Sequence, residues 1–229
     1  MYYSISKSKS KFYSKSKDPR EGYEQVTYGT DNSITYHKYV DTVEGILTKV
    51  VVEQKTLRGA ELSFLSVELK TAEGYSDYIS CTLKEYGRFT EQAKAMASAL
   101  NGASFGELYR FSVRTRKGND SDKSFLNIFV NDLNKFDESG RPVSTGFIPS
   151  SEIPKGETSV DELGQKTTTY DNQNKFFTGL ISNLIKKSND YLEKSPESPI
   201  QNAARTKTVD PLVSMSRPTS NALEEFLNS

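Results

Sequence analysis

Five runs of residues between Tyr39 and Leu133 alternate between apolar and polar positions, and a helix-like segment separates the third run from the fourth. The runs cover residues 39–54, 60–70, 75–83, 107–117 and 123–133, and the helix-like segment covers residues 85–101. Alternation with a period of two is typical of strands that bury one face. The segment has apolar residues at helical spacing and ends at Asn101-Gly102, a helix stop signal. The order therefore predicts a mainly β domain of five strands, with one helix after the third.

One face of the predicted strands is consistently apolar, and it defines the expected core. The core side chains are Leu65, Val67, Leu69, Ile79, Cys81, Leu83, Tyr109, Phe111, Val113, Leu126, Ile128 and Val130. The opposite face carries Phe64, Tyr78, Arg110, Arg114, Phe125 and Phe129, with Arg116 and Lys123 at the rim of the last hairpin. Rings that stack on bases and cations that follow phosphates are the means by which proteins bind single-stranded nucleic acid. These eight residues are the predicted binding site.

A structural interpretation of the same rings stays open. A half-exposed sheet face can carry Phe because another segment covers it, here the N-terminal residues or a later helix. A register error of one residue would also exchange the two faces and turn the site into core. Tyr86, at the start of the helix-like segment, could line the binding groove, but an aromatic residue at a helix start more often packs against its neighbours.

Both ends of the chain are polar and differ in charge. Residues 1–38 are rich in Lys, Ser and aromatic residues, and they read as a flexible basic arm that either stays unstructured or orders on an anionic partner. Residues 135–170 read as a linker, 171–194 as an amphipathic helix, and 195–229 as a flexible tail. The tail ends in a short tip that contains Leu223, Glu224, Glu225, Phe226 and Leu227.

The chain is poor in the parts that catalysis needs. It has one histidine (His37) and one cysteine (Cys81), and it lacks a phosphate loop, a dinucleotide fingerprint and zinc-ligand spacing. We therefore expect no enzyme activity, no cofactor and no metal, although 30 acidic residues leave a paired-carboxylate site open. No apolar run is long enough for a membrane span and no signal peptide precedes the domain. The expected location is the cytoplasm, of a host cell if the protein is viral.

This layout of an alternating-strand domain, a linker and an acidic, aromatic tip resembles phage-type single-stranded DNA-binding proteins. The resemblance implies a five-stranded oligonucleotide-binding barrel over residues 39–134. It also implies binding to single-stranded DNA, or RNA, with little sequence preference during replication, recombination or repair, and possible homo-oligomers. In that family the tip recruits replication or repair proteins and can compete with DNA for the groove. The alternative is a structural or assembly protein of a viral particle or complex, in which the barrel is a packing module.

Overall fold

The computed structural model describes residues 1–28, 33–57, 59–118 and 121–195, and within these ranges the chain is mainly β with two helices. The strands are β1 (Tyr2–Ser6), β2 (Lys11–Ser16), β3 (Glu24–Tyr28), β4 (Ser33–Val40), β5 (Thr42–Leu57), β6 (Ala60–Lys70), β7 (Ser76–Thr82), β8 (Lys84–Glu85), β9 (Arg88–Phe89), β10 (Leu108–Gly118), β11 (Ser121–Phe136), β12 (Pro142–Ser144), β13 (Glu157–Val160) and β14 (Lys166–Thr169). The helices are α1 (Glu91–Leu100) and α2 (Asp171–Lys194).

Ten of these strands form one open sheet in the order β12-β11-β10-β5-β6-β7-β1-β2-β4-β3. Its neighbours pair antiparallel except β1 and β7, which are parallel. The middle of this sheet is made by β5, β6, β7, β10 and β11. Together with α1, which lies between β7 and β10 in the sequence, these strands follow the predicted order. The remaining strands pair as two small hairpins, β8 with β9 and β13 with β14.

The prediction of a closed five-stranded barrel is wrong. Closure would need β7 to pair with β11, whereas β7 pairs with β1 and β11 pairs with β12. The sheet nevertheless curls, as two observations show. Strand β2 contacts β5 and β10, and the Ser10 and Thr115 hydroxyls hydrogen-bond to each other. The edges that a five-stranded barrel would join are thus extended, by β1 next to β7 and by β12 next to β11.

The predicted flexible arm over residues 1–38 is also wrong for the residues described, since β1 to β4 are part of the sheet. Lys and Ser at this density cannot fold alone, but β1 pairs with the edge of β7 and needs little core of its own. The alternation of side chains along β1 and β2 then buries one face of these strands. Ile5, Phe12 and Ser14 face inwards and are buried, while Tyr13 and Lys15 point to the other side.

The inward face of the middle strands is the predicted core. All twelve predicted core residues are buried, from Leu65 on β6 to Val130 on β11. Helix α1 contacts β7 and β11, and its buried residues include Ala93, Met96 and Leu100. The faces are therefore in the predicted register, and the predicted binding residues whose side chains the structure describes lie on the outward face.

Helix α1 begins six residues later than the sequence predicts. Tyr86 and Gly87 form the turn between β8 and β9 instead of a first helical turn. Thr90 is the residue that starts the helix, because its hydroxyl accepts a hydrogen bond from the Ala93 amide at 3.1 Å. The residues before it are thus free to form a hairpin.

Helix α2 spans the range in which the sequence predicts an amphipathic helix, and it buries Phe177, Ile181 and Leu184. The buried Ser188 hydroxyl accepts a hydrogen bond from the Val50 amide at 3.0 Å. This bond satisfies a β5 donor just after the bulge at residues 47–49. Among the described residues no helix is long and apolar enough to cross a membrane.

Candidate nucleic-acid interface

Three aromatic rings lie on the outward face of β6, β7 and β1, and two of them are in contact. Tyr78 lies beside Tyr2 in the register, and the two rings stack with centroids 4.7 Å apart and planes 14° apart. Phe64 lies opposite Thr82, on the same face of the sheet as Tyr78. Phe64 and Tyr78 are half-buried, while Tyr2 is 63% exposed. Tyr2 lies in the predicted arm, and no local pattern in the sequence indicates that it joins this surface.

A cation lies over this group of rings. The Lys55 Nζ is 5.9 Å from the centroid of the Tyr2 ring and 5.6 Å from that of Phe64. Both separations fall within the range of cation–π attraction. We refer to Tyr2, Lys55, Phe64 and Tyr78 as the ring cluster.

Carboxylates border the ring cluster and moderate its charge. Glu53 forms an ion pair with Lys55 at 2.7 Å, and Glu68 accepts hydrogen bonds from Ser76 at 2.6 Å and from the Tyr78 hydroxyl at 3.4 Å. Burial, followed by the charge of Glu68, raises the pKa of Tyr78, so its phenol stays neutral. The cluster therefore offers flat rings, while the charge of its one lysine is offset by neighbouring carboxylates.

The β10–β11 hairpin carries the other predicted residues. The Arg114 guanidinium lies 5.6 Å from the centroid of the Phe129 ring, and Phe125 is 55% exposed opposite Arg116. Arg110 is different, because its Nε donates to Glu44 at 2.6 Å in an ion pair. Lys123 lies in β11, but its side chain is outside those the structure describes.

The predicted residues thus form two groups rather than one site. Phe129 is opposite Ser112, which is opposite Thr42 on β5, whereas Phe64 is opposite Glu53 on the same strand. Eleven residues of β5 separate those two levels, at most about 35 Å at the usual rise of a strand, because the bulge at residues 47–49 bends it. A polynucleotide is long enough to contact both groups.

A further group of rings and lysines lies on the same face, across β2 and β4. Tyr13 stacks on His37 with centroids 4.6 Å apart and lies opposite Tyr39. Lys9 Nζ is 4.2 Å from the Tyr39 centroid, and Lys15 Nζ is 5.5 Å from that of Tyr13. The basic, aromatic composition of residues 1–38 was the sequence signal for this group.

Tyr86 is not packed as the sequence suggested. It lies at the tip of the β8–β9 hairpin, and its side chain is fully exposed. The predicted tip residues Leu223, Glu224, Glu225, Phe226 and Leu227 lie outside the described residues.

The single histidine and cysteine are both buried. The ring nitrogens of His37 hydrogen-bond to the hydroxyls of Thr35 at 3.1 Å and Tyr39 at 3.3 Å, and burial together with Lys15 and Lys9 lowers its pKa. Burial raises the pKa of Cys81 to about 12, which leaves the thiol protonated and unreactive. Within the described ranges no group of three or more His, Cys, Asp and Glu residues could hold a metal ion.

Comparison with known proteins adds no relative. No protein-family model matches the chain, and no curated protein or solved structure is detectably similar to it.

Proposed function

We propose that the protein binds single-stranded nucleic acid along the outward face of its sheet, without covalent chemistry. DNA is the expected ligand. The observation that carries the proposal is the ring cluster. Half-exposed Phe64 and Tyr78, with exposed Tyr2, present rings beside Lys55 on the side of the sheet opposite the core. Base–aromatic stacking of this kind tolerates any sequence, because every base has a flat face.

The order of the middle elements supports the same proposal. Three strands, a helix and two strands recur here as in the phage-type proteins that the chain resembles, with the β8–β9 hairpin added before the helix. Residues beyond the described ranges, the tip at 223–227 among them, would then recruit replication or repair proteins as the resemblance implies.

Affinity would come from two parts of the face. The ring cluster supplies stacking, while Arg114 and Arg116 on the hairpin supply positive charge near exposed Phe125. Lysine and arginine contacts to phosphates release counterions, so binding should weaken as salt is added. Carboxylates beside Lys55 and Arg110 keep the electrostatic share modest.

Fluorescence anisotropy with labelled oligothymidylate, oligouridylate and a duplex of mixed sequence tests the proposal. We expect binding to the single strands at low salt, weaker binding to the duplex, and loss of affinity as salt rises. A variant with Phe64→Ala and Lys55→Gln should bind less well, with Tyr75→Ala as its control, because Tyr75 is an exposed tyrosine before β7.

Two results would contradict the proposal. One is absence of single-strand binding at low salt, and the other is a preference for duplex. If the protein instead forms regular assemblies without nucleic acid, the alternative of an assembly module takes its place.

A further inference from the structure

We propose that Tyr86 is a base-stacking residue, presented to the single strand at the tip of the β8–β9 hairpin. This inference rests on the proposed function and extends its site beyond the ring cluster. It assigns a ligand contact to the β8–β9 hairpin, at residues where the sequence predicts a helix.

The turn conformation is the first observation. Tyr86 and Gly87 are the two residues of the turn, with φ of 50° and 73°. Two-residue hairpin turns with both φ positive favour Asn-Gly, because Gly and Asn tolerate the left-handed region. A tyrosine in this region is strained, and residues with such strain cluster at functional sites. Among the described residues, Ser10 is the other non-glycine with positive φ.

The base of the hairpin is firmly held. Leu83 and Phe89 on its two sides are buried, and the Asn174 side-chain amide on α2 donates to the Gly87 carbonyl at 3.0 Å. The Thr90 hydroxyl, just after the hairpin, donates to the Thr82 carbonyl at 2.5 Å. The exposed ring of Tyr86 is therefore displayed on a fixed support, which lowers the entropy lost when a ligand orders it.

The surroundings suit a nucleotide. Glu85 is opposite Arg88 in the hairpin, and the Arg88 guanidinium lies 4.2 Å from the centroid of the Tyr170 ring. Lys84 precedes them, with its Nζ 5.1 Å from the centroid of the Phe89 ring, so the hairpin that presents Tyr86 carries two cations and one carboxylate. An exposed ring with neighbouring cations matches a base and its phosphates.

The hairpin is close enough to the ring cluster to share one strand. Tyr86 follows Thr82 by four residues, and Thr82 is the cross-strand neighbour of Phe64. Four residues span at most about 14 Å, so the backbone at Tyr86 lies within that distance of the backbone at Thr82. A polynucleotide that stacks on Phe64 can therefore reach Tyr86.

The full chain contains no tryptophan, which allows a direct test. In the Tyr86→Trp variant the single indole reports on position 86, and stacking on a base should quench its emission when oligothymidylate or oligouridylate is added. The matched control is Tyr75→Trp, at an exposed position before β7, whose emission should not change although the strand binds equally well.

Affinity provides the second measurement. Tyr86→Ala should weaken single-strand binding about 5- to 150-fold, and Tyr86→Phe should not. Tyr86→Gly relieves the backbone strain, so it should fold at least as well as the wild type and bind as weakly as the alanine variant.

The outcomes separate the two proposals. If the wild type binds single strands but indole emission and Tyr86→Ala affinity are unchanged, the Tyr86 inference is overturned and the proposed function stands. If the wild type binds neither single strand, both are overturned.

Discussion

A ring that is partly buried in a sheet contributes to stability as well as to binding, whereas an exposed ring contributes to binding alone. Phe64 is half-buried on β6, and Phe125 on β11 is 55% exposed. The same substitution should therefore affect the two positions differently. At residue scale this contrast allows stacking to be separated from packing.

Phe125→Ala is expected to leave the melting temperature unchanged and to weaken single-strand binding by about 1–3 kcal/mol, the usual cost of a lost base stack. Phe64→Ala should weaken binding by a similar amount and also lower the free energy of unfolding by about 1–2 kcal/mol, less than a fully buried Phe would lose. Thermal melts and anisotropy titrations measure the two effects. Equal destabilisation by both substitutions would contradict the assigned burial.

His37 is expected to make the free energy of unfolding depend on pH, because its pKa is lowered in the folded protein. Its folded pKa lies below the unfolded value, so the unfolded chain takes up the proton first as pH falls. The stabilisation is complete above the unfolded pKa of about 6.5 and decreases as pH drops from there towards the folded pKa.

Melting temperatures of wild type and His37→Gln between pH 5 and 8 test this expectation. The wild type should lose stability in the acidic half of that range, and the variant should show a smaller loss, because His37 is the only histidine. Parallel curves for the two proteins would show that His37 titrates alike in both states.

At the scale of elements, strand β10 places three arginines on one face, but they are not equivalent. Arg110 is already paired with Glu44, while Arg114 lies over Phe129 and Arg116 is exposed. An arginine that must first break an ion pair with a carboxylate gains little net binding free energy from a phosphate contact. We therefore expect Arg114 and Arg116, rather than Arg110, to bind phosphates.

Gln substitutions at Arg114 and Arg116 should each reduce the slope of log affinity against log salt by about 0.7, the value for one phosphate contact on a single strand. Arg110→Gln is the internal control and should change the slope little. Titrations over a series of salt concentrations give the slopes. An unchanged slope in the Arg114→Gln, Arg116→Gln double variant would move the phosphate contacts elsewhere, for example to the lysines near Tyr13 and Tyr39.

The β8–β9 hairpin shows why element boundaries were harder to predict than faces. Phe89 fits the helical pattern of Ala93 and Met96, so periodicity alone extended the helix back to residue 85. Two residues conflicted with this pattern: Gly87, which destabilises a helix interior, and Thr90, a residue type favoured at the helix N-cap. Local turn and cap chemistry outweighed spacing here.

At the scale of the whole molecule, the sequence predicted the alternating strands and their buried face but not what flanks them. Alternation is a local property, and residues such as Leu65 and Val130 follow it. The pairing of β1 with β7 depends on contacts far apart in the chain, which no local pattern shows. Tyr2 and Lys55 were missed as site residues for the same reason.

The tip at residues 223–227 leads to a prediction about the whole chain. Deleting residues 221–229 removes two carboxylates along with Phe226 and two leucines, Leu223 and Leu227. We expect the truncated protein to keep or slightly gain affinity for single strands, because an acidic competitor is removed. It should lose capture of a polymerase, helicase or nuclease partner, since a short apolar segment of this kind docks in a groove.

Pull-downs from source-cell extract with the full-length and truncated proteins test partner capture, and anisotropy titrations test single-strand affinity. Equal partner recovery would assign the tip no recruiting role, and a fall in melting temperature on truncation would make it part of the fold.

The parallel pairing of β1 with β7 has a consequence for how the chain folds during synthesis. Tyr2 is made 76 residues before its neighbour Tyr78, which takes roughly 4–15 s at ribosomal rates of about 5–20 residues per second. The hairpins of β1 with β2 and of β5 with β6 can each form from adjacent residues, whereas β1 can join β7 only after β7 has been made. The outer edge of β1 therefore stays unpaired while roughly the next 70 residues are made, and a chaperone that shields this edge meanwhile would raise the yield of folded protein.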